Sequence, residues 1–264
     1  MERAEWLKRM QSITEEMYDQ FAPLYWDTFG LTEDDTHQKF LKMFLERVGP
    51  GAILSAACGA GRYDGILLEA GHSVVGTDQS EGMLRRAREH FPEERYPQLR
   101  YEKVSLQEMD FHEEFEGAIC MDALEHVPPE DYPGILRKLQ EALKPGGLLY
   151  FTADTTDTAV GDQVDLSVVY ERAKELGLPV VFGEWVDELE EARALVKAIG
   201  TAAPDDQADK SVYHYFPALE QVRAWVEQAG LEIEEEGMGS GWCHILARKI
   251  RFSVPCGSRG RILE

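Results

Sequence analysis

A glycine-rich turn and an aspartate further along the chain have the types and order needed to bind a nucleoside. Gly59 and Gly61 follow the apolar run Ile53–Ala57, and Asp78 follows a second apolar run. Glycine lets the backbone turn tightly and lets a ligand approach closely, because it has no Cβ. An aspartate at the end of a second strand can accept hydrogen bonds from the hydroxyls of a ribose. The pattern predicts an adenosine-containing ligand, and a plain turn with a surface aspartate is the alternative.

The spacing of the glycines argues against a dinucleotide. The pattern G-x-G-x-x-G, started at Gly59, requires a third glycine at position 64. Asp64 occupies that position, and Gly65 follows it. An aspartate there would repel a pyrophosphate bound at the helix N-terminus. An NAD(P)-dependent oxidoreductase is therefore the weaker alternative.

Two histidines are candidates for acid–base catalysis, because histidine titrates near neutral pH. His126 follows Asp122 and Glu125 at a spacing that would place all three side chains on one face of a helix. His214 lies in the aromatic run 213–216. The alternative for His126 is a structural histidine that is hydrogen-bonded to the backbone at the start of a helix. The alternative for His214 is a hinge segment that packs the insertion on the core.

The elements that must position these residues alternate between apolar strands and amphipathic helices from Ala52 to about Ala153. This alternation predicts a doubly wound α/β domain with a parallel sheet covered on both faces. A helix (219–229) and two strands (231–236 and 242–248) then complete the sheet. The predicted organisation is a helical cap (1–50), the core (51–153), a mainly helical insertion that forms a substrate lid (154–215), the C-terminal part of the sheet (216–249) and a tail (250–264).

Composition excludes several classes of function. The 264 residues include 27 Lys+Arg and 49 Asp+Glu, a formal net charge of -22, which repels phosphate backbones and anionic lipids. No apolar run approaches the roughly 18 residues of a membrane span. The cysteines are far apart and form no CxxC pair, which argues against a zinc ribbon or a disulfide framework. We expect a cytoplasmic protein with no membrane, nucleic-acid or metal partner, and leave a homodimer open.

Four segments together resemble the class I S-adenosylmethionine-dependent methyltransferases, of the type that acts on small molecules. They are Ala57–Gly61, Gly76–Ser80, Cys120–Val127 and Leu143–Gly147. The resemblance implies a Rossmann-like, seven-stranded mixed sheet whose last strand is antiparallel. It implies S-adenosylmethionine as the cofactor, and transfer of its methyl group to an oxygen or nitrogen atom of a small-molecule acceptor.

The resemblance also implies roles for individual residues. The glycine turn would lie against the methionine part of the cofactor, Asp78 would hold the ribose, and Met121 would lie beside the sulfonium. Tyr18 and Tyr25, in a Tyr-Asp pattern before the core, would close over cofactor or substrate. Arg62 and His37 are candidate partners of a carboxylate. The cofactor-binding residues predicted in this way are Tyr18, Tyr25, Ala57, Cys58, Gly59, Gly61, Arg62, Asp78, Gln79, Met83, Ser105, Leu106 and Met121.

Two positions depart from the family pattern. Ser55 stands where the family usually has an acidic residue that anchors the amino end of the cofactor, and Ala57 stands where it often has glycine. We expect the methyl group of Ala57 to be tolerated because it adds little bulk. Ser55 cannot supply a charge, so another group must do so or the affinity is weaker. A non-catalytic S-adenosylmethionine-binding protein is therefore a further alternative.

The segment Leu124–Pro128 resembles ubiquinone-biosynthesis O-methyltransferases, in which such acids and histidine are associated with a divalent metal. The resemblance therefore keeps a metal at Asp122, Glu125 and His126 as an alternative to the metal-free site.

Overall fold

The structure, a computed structural model, describes residues 1–29, 35–157, 165–186 and 213–251. Its strands are β1 (Ala52–Ala56), β2 (Ser73–Asp78), β3 (Leu99–Lys103), β4 (Phe115–Cys120), β5 (Leu143–Ala153), β6 (Glu184–Val186), β7 (Tyr213–Tyr215), β8 (Leu231–Gly239) and β9 (Trp242–Lys249). Its α-helices are α1 (Arg3–Phe21), α2 (Tyr25–Phe29), α3 (Asp35–Arg47), α4 (Asp64–Glu69), α5 (Glu81–His90), α6 (Tyr132–Ala142), α7 (Leu166–Glu175) and α8 (Leu219–Gln228). Short 3-10 turns span Ala22–Leu24 and Leu124–His126.

Seven strands form one mixed sheet in the order β3-β2-β1-β4-β5-β9-β8. Strands β1 to β5 pair in parallel, and β9 pairs antiparallel with both β5 and β8. The predicted doubly wound α/β class, with its antiparallel last strand, is confirmed. Strand β5 has eleven residues and includes Leu143–Gly147, one of the four segments that carry the family resemblance.

Successive residues of β1 enter different cores, because side chains alternate across a strand. Leu54 packs in the core that contains Trp6 and Met10 of α1, while Ile53 packs in the core that contains Phe40 and Phe44 of α3. The first and third helices of the chain therefore cover opposite faces of the sheet. The predicted N-terminal cap is thus built into both cores.

The described part of the insertion differs from the mainly helical segment that the sequence predicts. It contains helix α7, but also a two-stranded antiparallel sheet of β6 and β7. In β7, Tyr213 and Tyr215 are buried while His214 between them is half-buried, which is the two-residue period of a strand. Residues 158–164 and 187–212 of the predicted insertion lie outside the described residues, as do residues 252–264 of the predicted tail. Within the described ranges, no helix is both long enough and apolar enough to cross a membrane.

Candidate active site

A cavity opens where β1, β2 and β4 reach their carboxyl ends, the edge at which sheets of this kind bind ligands. All the predicted cofactor-binding residues except Gly61 line it, and so does His126. His214 does not line it. The fold therefore brings residues from the cap, the glycine turn and the end of β4 around one space.

Asp78 ends β2 and presents a half-buried carboxylate to this cavity. Its Oδ2 accepts a hydrogen bond of 2.8 Å from the backbone N–H of Gly59, and its Oδ1 accepts one of 2.8 Å from that of Ser80. Burial raises the pKa of Asp78 to about 6, and the bonds from Ser80 and Gly59 partly offset this effect. The aspartate thus ties the glycine turn to the end of β2.

The backbone of the glycine turn adopts left-handed conformations at three positions. Gly59 has φ +54° and Gly61 has φ +79°, which glycine adopts without strain. Ala57 has φ +49°, a left-handed conformation that is strained for alanine. Its side chain therefore lowers stability through backbone strain, and not only through the small bulk of the methyl group. Gly61 faces away from the cavity, since a Cβ there would stand 2.7 Å from the Tyr101 hydroxyl.

The cap closes one side of the cavity through the Tyr-Asp segment at the end of α1. The Asp19 carboxylate accepts hydrogen bonds from Ser80 Oγ (2.6 Å) and from the backbone N–H of Gly82 (2.7 Å). Tyr25 covers the glycine turn, since a Cβ on Gly59 would stand 3.6 Å from its hydroxyl. The sequence pattern contains Asp19, but its function as the anchor of the cap on α5 follows only from the structure.

The Asp122 carboxylate follows β4 and is held by groups from three segments of the chain. His37 Nε2 lies 3.0 Å from Oδ1, Arg62 donates to Oδ2 at 3.2 Å, and Tyr63 and Thr152 donate at 3.3 and 3.1 Å. Burial alone would raise the pKa of Asp122, but the bond from His37 and the charges of His37 and Arg62 lower it below the usual 3.8. Arg62 and His37, the predicted carboxylate partners, thus meet a carboxylate of the chain itself.

His126 is fixed by one hydrogen bond at each ring nitrogen. Its Nδ1 lies 3.0 Å from the backbone carbonyl of Tyr213, and its Nε2 lies 2.8 Å from the hydroxyl of Tyr18. A carbonyl can only accept, so Nδ1 carries the hydrogen and Nε2 accepts from the Tyr18 hydroxyl. Burial lowers the pKa of His126, so the ring is neutral at physiological pH. A neutral imidazole joined to a hydroxyl in a cavity is equipped to take up a proton.

His214 packs behind this ring, with the two ring centroids 4.9 Å apart. Burial and the neighbouring His126 lower the pKa of His214 to about 3. A histidine with so low a pKa is a weak base, and it is separated from the cavity by His126.

The remaining predicted residues form the floor and sides of the cavity. Met83 is buried beside Ala22 and Ala60, where the cap meets the glycine turn. Ser105 donates a hydrogen bond to Glu108 at 2.9 Å, so its hydroxyl has a local partner. Leu106 and Met121 are buried, whereas Cys58 and Gln79 are half-buried.

The spacing of Asp122, Glu125 and His126 does not bring the three groups together. Residues 124–126 form a single 3-10 turn rather than an α-helix, and Asp122, with φ +51°, turns toward His37 and Arg62. Glu125 Oε1 lies 3.8 Å from His126 Nε2. Across the described residues, no group of three or more His, Cys, Asp and Glu side chains could hold a metal ion.

Comparison with known proteins identifies a methyltransferase domain at residues 53–147. A ubiquinone biosynthesis O-methyltransferase of Hydrogenovibrio crunogenus is 31% identical over 142 residues, which cover 51% of this chain and 57% of that protein. A protein of the same name from Xanthomonas axonopodis pv. citri is 26% identical over 229 residues, covering 82% of this chain and 80% of that protein. The chain thus matches little more than half the length of the first relative and most of the second.

Solved structures show the same fold at low sequence identity. An S-adenosylmethionine-dependent methyltransferase of Methanosarcina mazei has a TM-score of 0.59 at 16% identity, covering 80% of this chain and 97% of that chain. The 1,6-didemethyltoxoflavin-N1-methyltransferase of Burkholderia thailandensis, solved with bound 1,6-didemethyltoxoflavin and S-adenosylhomocysteine, has a TM-score of 0.58 at 16% identity. It covers 92% of this chain and 90% of that chain.

Proposed function

We propose that the chain transfers a methyl group from S-adenosylmethionine to a hydroxyl oxygen of a small molecule. The proposal starts from residues 53–147, which form a domain of the class I S-adenosylmethionine-dependent methyltransferase family. The observation that carries the choice of oxygen is the pair formed by His126 and Tyr18 at the cavity wall. A hydroxyl acceptor must lose a proton, and this pair can receive it.

The chemistry of the cavity fits S-adenosylmethionine. Asp78 offers a carboxylate to the ribose hydroxyls, and its bonds to Gly59 and Ser80 hold that carboxylate in place. Gly59, without a Cβ, leaves room at the turn beneath Tyr25. When bound, the cofactor supplies a methyl group on a positively charged sulfur, whose bond to that carbon breaks as the bond to the acceptor oxygen forms. The chain therefore has to align the acceptor and exclude water.

The proton of the acceptor hydroxyl passes through two residues. It moves to the oxygen of Tyr18 as the Tyr18 proton moves across 2.8 Å to Nε2 of His126. The carbonyl of Tyr213 stabilises the resulting imidazolium through the Nδ1–H bond. The products are the methyl ether, S-adenosylhomocysteine and a protonated His126, which returns its proton to solvent.

The substrate class is supported by charge and by the names of the relatives. A net charge of -22 disfavours a nucleic-acid acceptor. The two relatives named above are called ubiquinone biosynthesis O-methyltransferases. We assign a phenol or catechol as the acceptor, because a phenolic hydroxyl loses its proton more readily than an aliphatic one.

The test is transfer of a labelled methyl group from S-adenosylmethionine to matched catechol and aniline acceptors. We expect methylation of the catechol, and His126→Gln should lower kcat by about 10²- to 10⁴-fold. His112→Gln is the matched control, because this histidine is exposed and remote from the cavity. The activity should fall with decreasing pH only below 6.5, because His126 has a lowered pKa and must be neutral to act as the base. Methylation of the aniline alone, or an unchanged rate in His126→Gln, contradicts the assignment.

A further inference from the structure

A carboxyl group is buried directly beneath the glycine turn, outside the site described above. Asp64, the first residue of α4, is 0% exposed. Its Oδ2 accepts a hydrogen bond of 2.8 Å from the Tyr101 hydroxyl, whereas its buried Oδ1 has no well-formed hydrogen bond to the described residues. None of the described Lys or Arg side chains forms an ion pair with it. A buried carboxyl group without a cation is costly, which calls for an explanation.

Ser55 separates this carboxyl group from the cavity. Ser55 lies on β1 and lines the cavity, whereas Asp64 does not. Burial raises the pKa of Asp64 to about 6, and hydrogen bonding from Ser55 and Tyr101 partly offsets this effect. In the sheet, Ser55 pairs with Gly76 and Gly76 pairs with Tyr101, so the side chains of Ser55 and Tyr101 lie on the same face. The Tyr101 hydroxyl on that face bonds to Asp64, so Ser55 lies between Asp64 and the cavity.

A hydroxyl group has one donor and two acceptor lone pairs. When Ser55 donates to Asp64, its lone pairs remain for a donor in the cavity, and the carboxylate makes the oxygen a stronger acceptor. An ammonium group is the complementary ligand, because it only donates and is positively charged.

The other carboxyl groups around the cavity are less suited to a ligand cation. Asp78 already accepts two backbone N–H bonds at the ribose end. Asp122 is surrounded by His37, Arg62, Tyr63 and Thr152. Glu125 does not line the cavity, and burial raises its pKa well above the usual value, which disfavours its charged form.

We propose that Asp64 is a positioning residue for the ammonium group at the amino-acid end of the cofactor, and that it acts through the hydroxyl of Ser55. This inference rests on the proposed function, since it needs a ligand with that ammonium group. It accounts for a serine on β1 at the position where the resemblance implies an acid, because the negative charge comes from the start of the next helix instead.

The test compares two ligands that differ by the amino-acid part. S-adenosylhomocysteine carries the ammonium group, and 5′-methylthioadenosine has the same adenosine and thioether without it. We expect Asp64→Asn to weaken binding of S-adenosylhomocysteine about tenfold in calorimetric titration and to leave methylthioadenosine within about twofold. Ser55→Ala should have the same selective effect, and the double variant should lose little more than either single one, because both act along one path. Placing the acid on the strand, in the double variant Ser55→Asp with Asp64→Asn, should restore the preference for S-adenosylhomocysteine.

Glu125→Gln is the matched control, because Glu125 is also buried and also absent from the cavity lining. It should leave the ratio of the two affinities unchanged. If Asp64→Asn weakens the binding of both ligands equally, Asp64 has a purely structural role. If Glu125→Gln changes the ratio of the two affinities, Glu125 is the residue that holds the ammonium group. Either result overturns the inference. If Asp64→Asn does not fold, Ser55→Ala decides, since it removes only a hydroxyl. Binding of neither ligand by the unmodified protein would refute the proposed function itself, whereas binding with an unchanged ratio in both variants refutes only the role of Asp64.

Discussion

Replacing Asp78 by asparagine should separate binding from stability. Asparagine keeps the size of the side chain and removes its charge, so the cofactor loses at least one charge-assisted hydrogen bond. Such a bond contributes about 1.5–3 kcal/mol, which corresponds to roughly 10- to 150-fold in affinity. Calorimetric titration with S-adenosylhomocysteine at pH 7.5 measures this loss directly.

The free energy of unfolding should change little in the same variant, because two contributions have opposite signs. The pKa of Asp78 is raised from 3.8 to about 6, so its charged form is destabilised by about 3 kcal/mol above pH 6. Asparagine relieves this cost, but it can accept only one of the bonds from Gly59 and Ser80, and the orphaned N–H costs about 1–3 kcal/mol. The net change is expected to stay within about 2 kcal/mol in urea unfolding.

The pH dependence of unfolding gives an independent check on this reasoning. The folded state holds the Asp78 proton more tightly than the unfolded state, so this group lowers the free energy of unfolding as pH rises from about 4 to about 6. That part of the decline should be missing from Asp78→Asn. Asp165→Asn is the matched control, because Asp165 also accepts two backbone N–H bonds, at the start of α7 and away from the cavity. An affinity within twofold of the unmodified protein, with the fold intact, would refute the assignment of Asp78 to the ribose.

Three further outcomes are expected. Binding of 5′-methylthioadenosine should weaken about tenfold between pH 7 and pH 5, since the ribose favours the ionised form of Asp78 and its pKa is about 6; a flat profile in calorimetry would contradict this. Ala57→Gly should raise the free energy of unfolding in urea by about 1 kcal/mol, because the strain of alanine at φ +49° exceeds the conformational entropy that glycine loses on folding. A free energy of unfolding below that of the unmodified protein would show that the turn is not strained. Arg3→Met should lower the free energy of unfolding by about 3 kcal/mol, because it leaves the fully buried side chain of Glu184 without its cation. Arg100→Met removes an exposed ion pair and should lower it by under about 1 kcal/mol. Equal effects of the two substitutions would contradict the argument.

The sequence could predict the sheet because its strands are read from local patterns. Continuous apolar runs separated by amphipathic helices are sufficient to indicate a parallel sheet. The strand order of the structure then places Asp78 and the glycine turn at the same edge. The insertion was less predictable. Its strand β7 is three residues long and pairs with β6 across 26 residues that lie outside the described part of the chain, so no local signal marks the pairing.

The candidate base illustrates what local spacing cannot supply. Sequence spacing suggested that His126 works with Asp122 and Glu125, on the assumption of a helix. The chain forms a 3-10 turn there, and the hydrogen-bonding partners of His126 are Tyr18, from the cap, and the carbonyl of Tyr213, from the insertion. These groups are separated by 108 and 87 residues, so their meeting depends on how the cap and insertion pack on the core.

The sequence by itself determined the α/β architecture, the edge of the sheet that carries the cavity and the aspartate that faces it, because each depends on residues close together in the chain. Only the tertiary structure decided which groups pair: Asp122 with His37 and Arg62, His126 with Tyr18, and Asp64 with Tyr101 beside Ser55. Hydrogen bonding and ionisation depend on distances of about 3 Å and on burial. Those quantities are fixed when distant segments pack together, and no spacing along the chain encodes them.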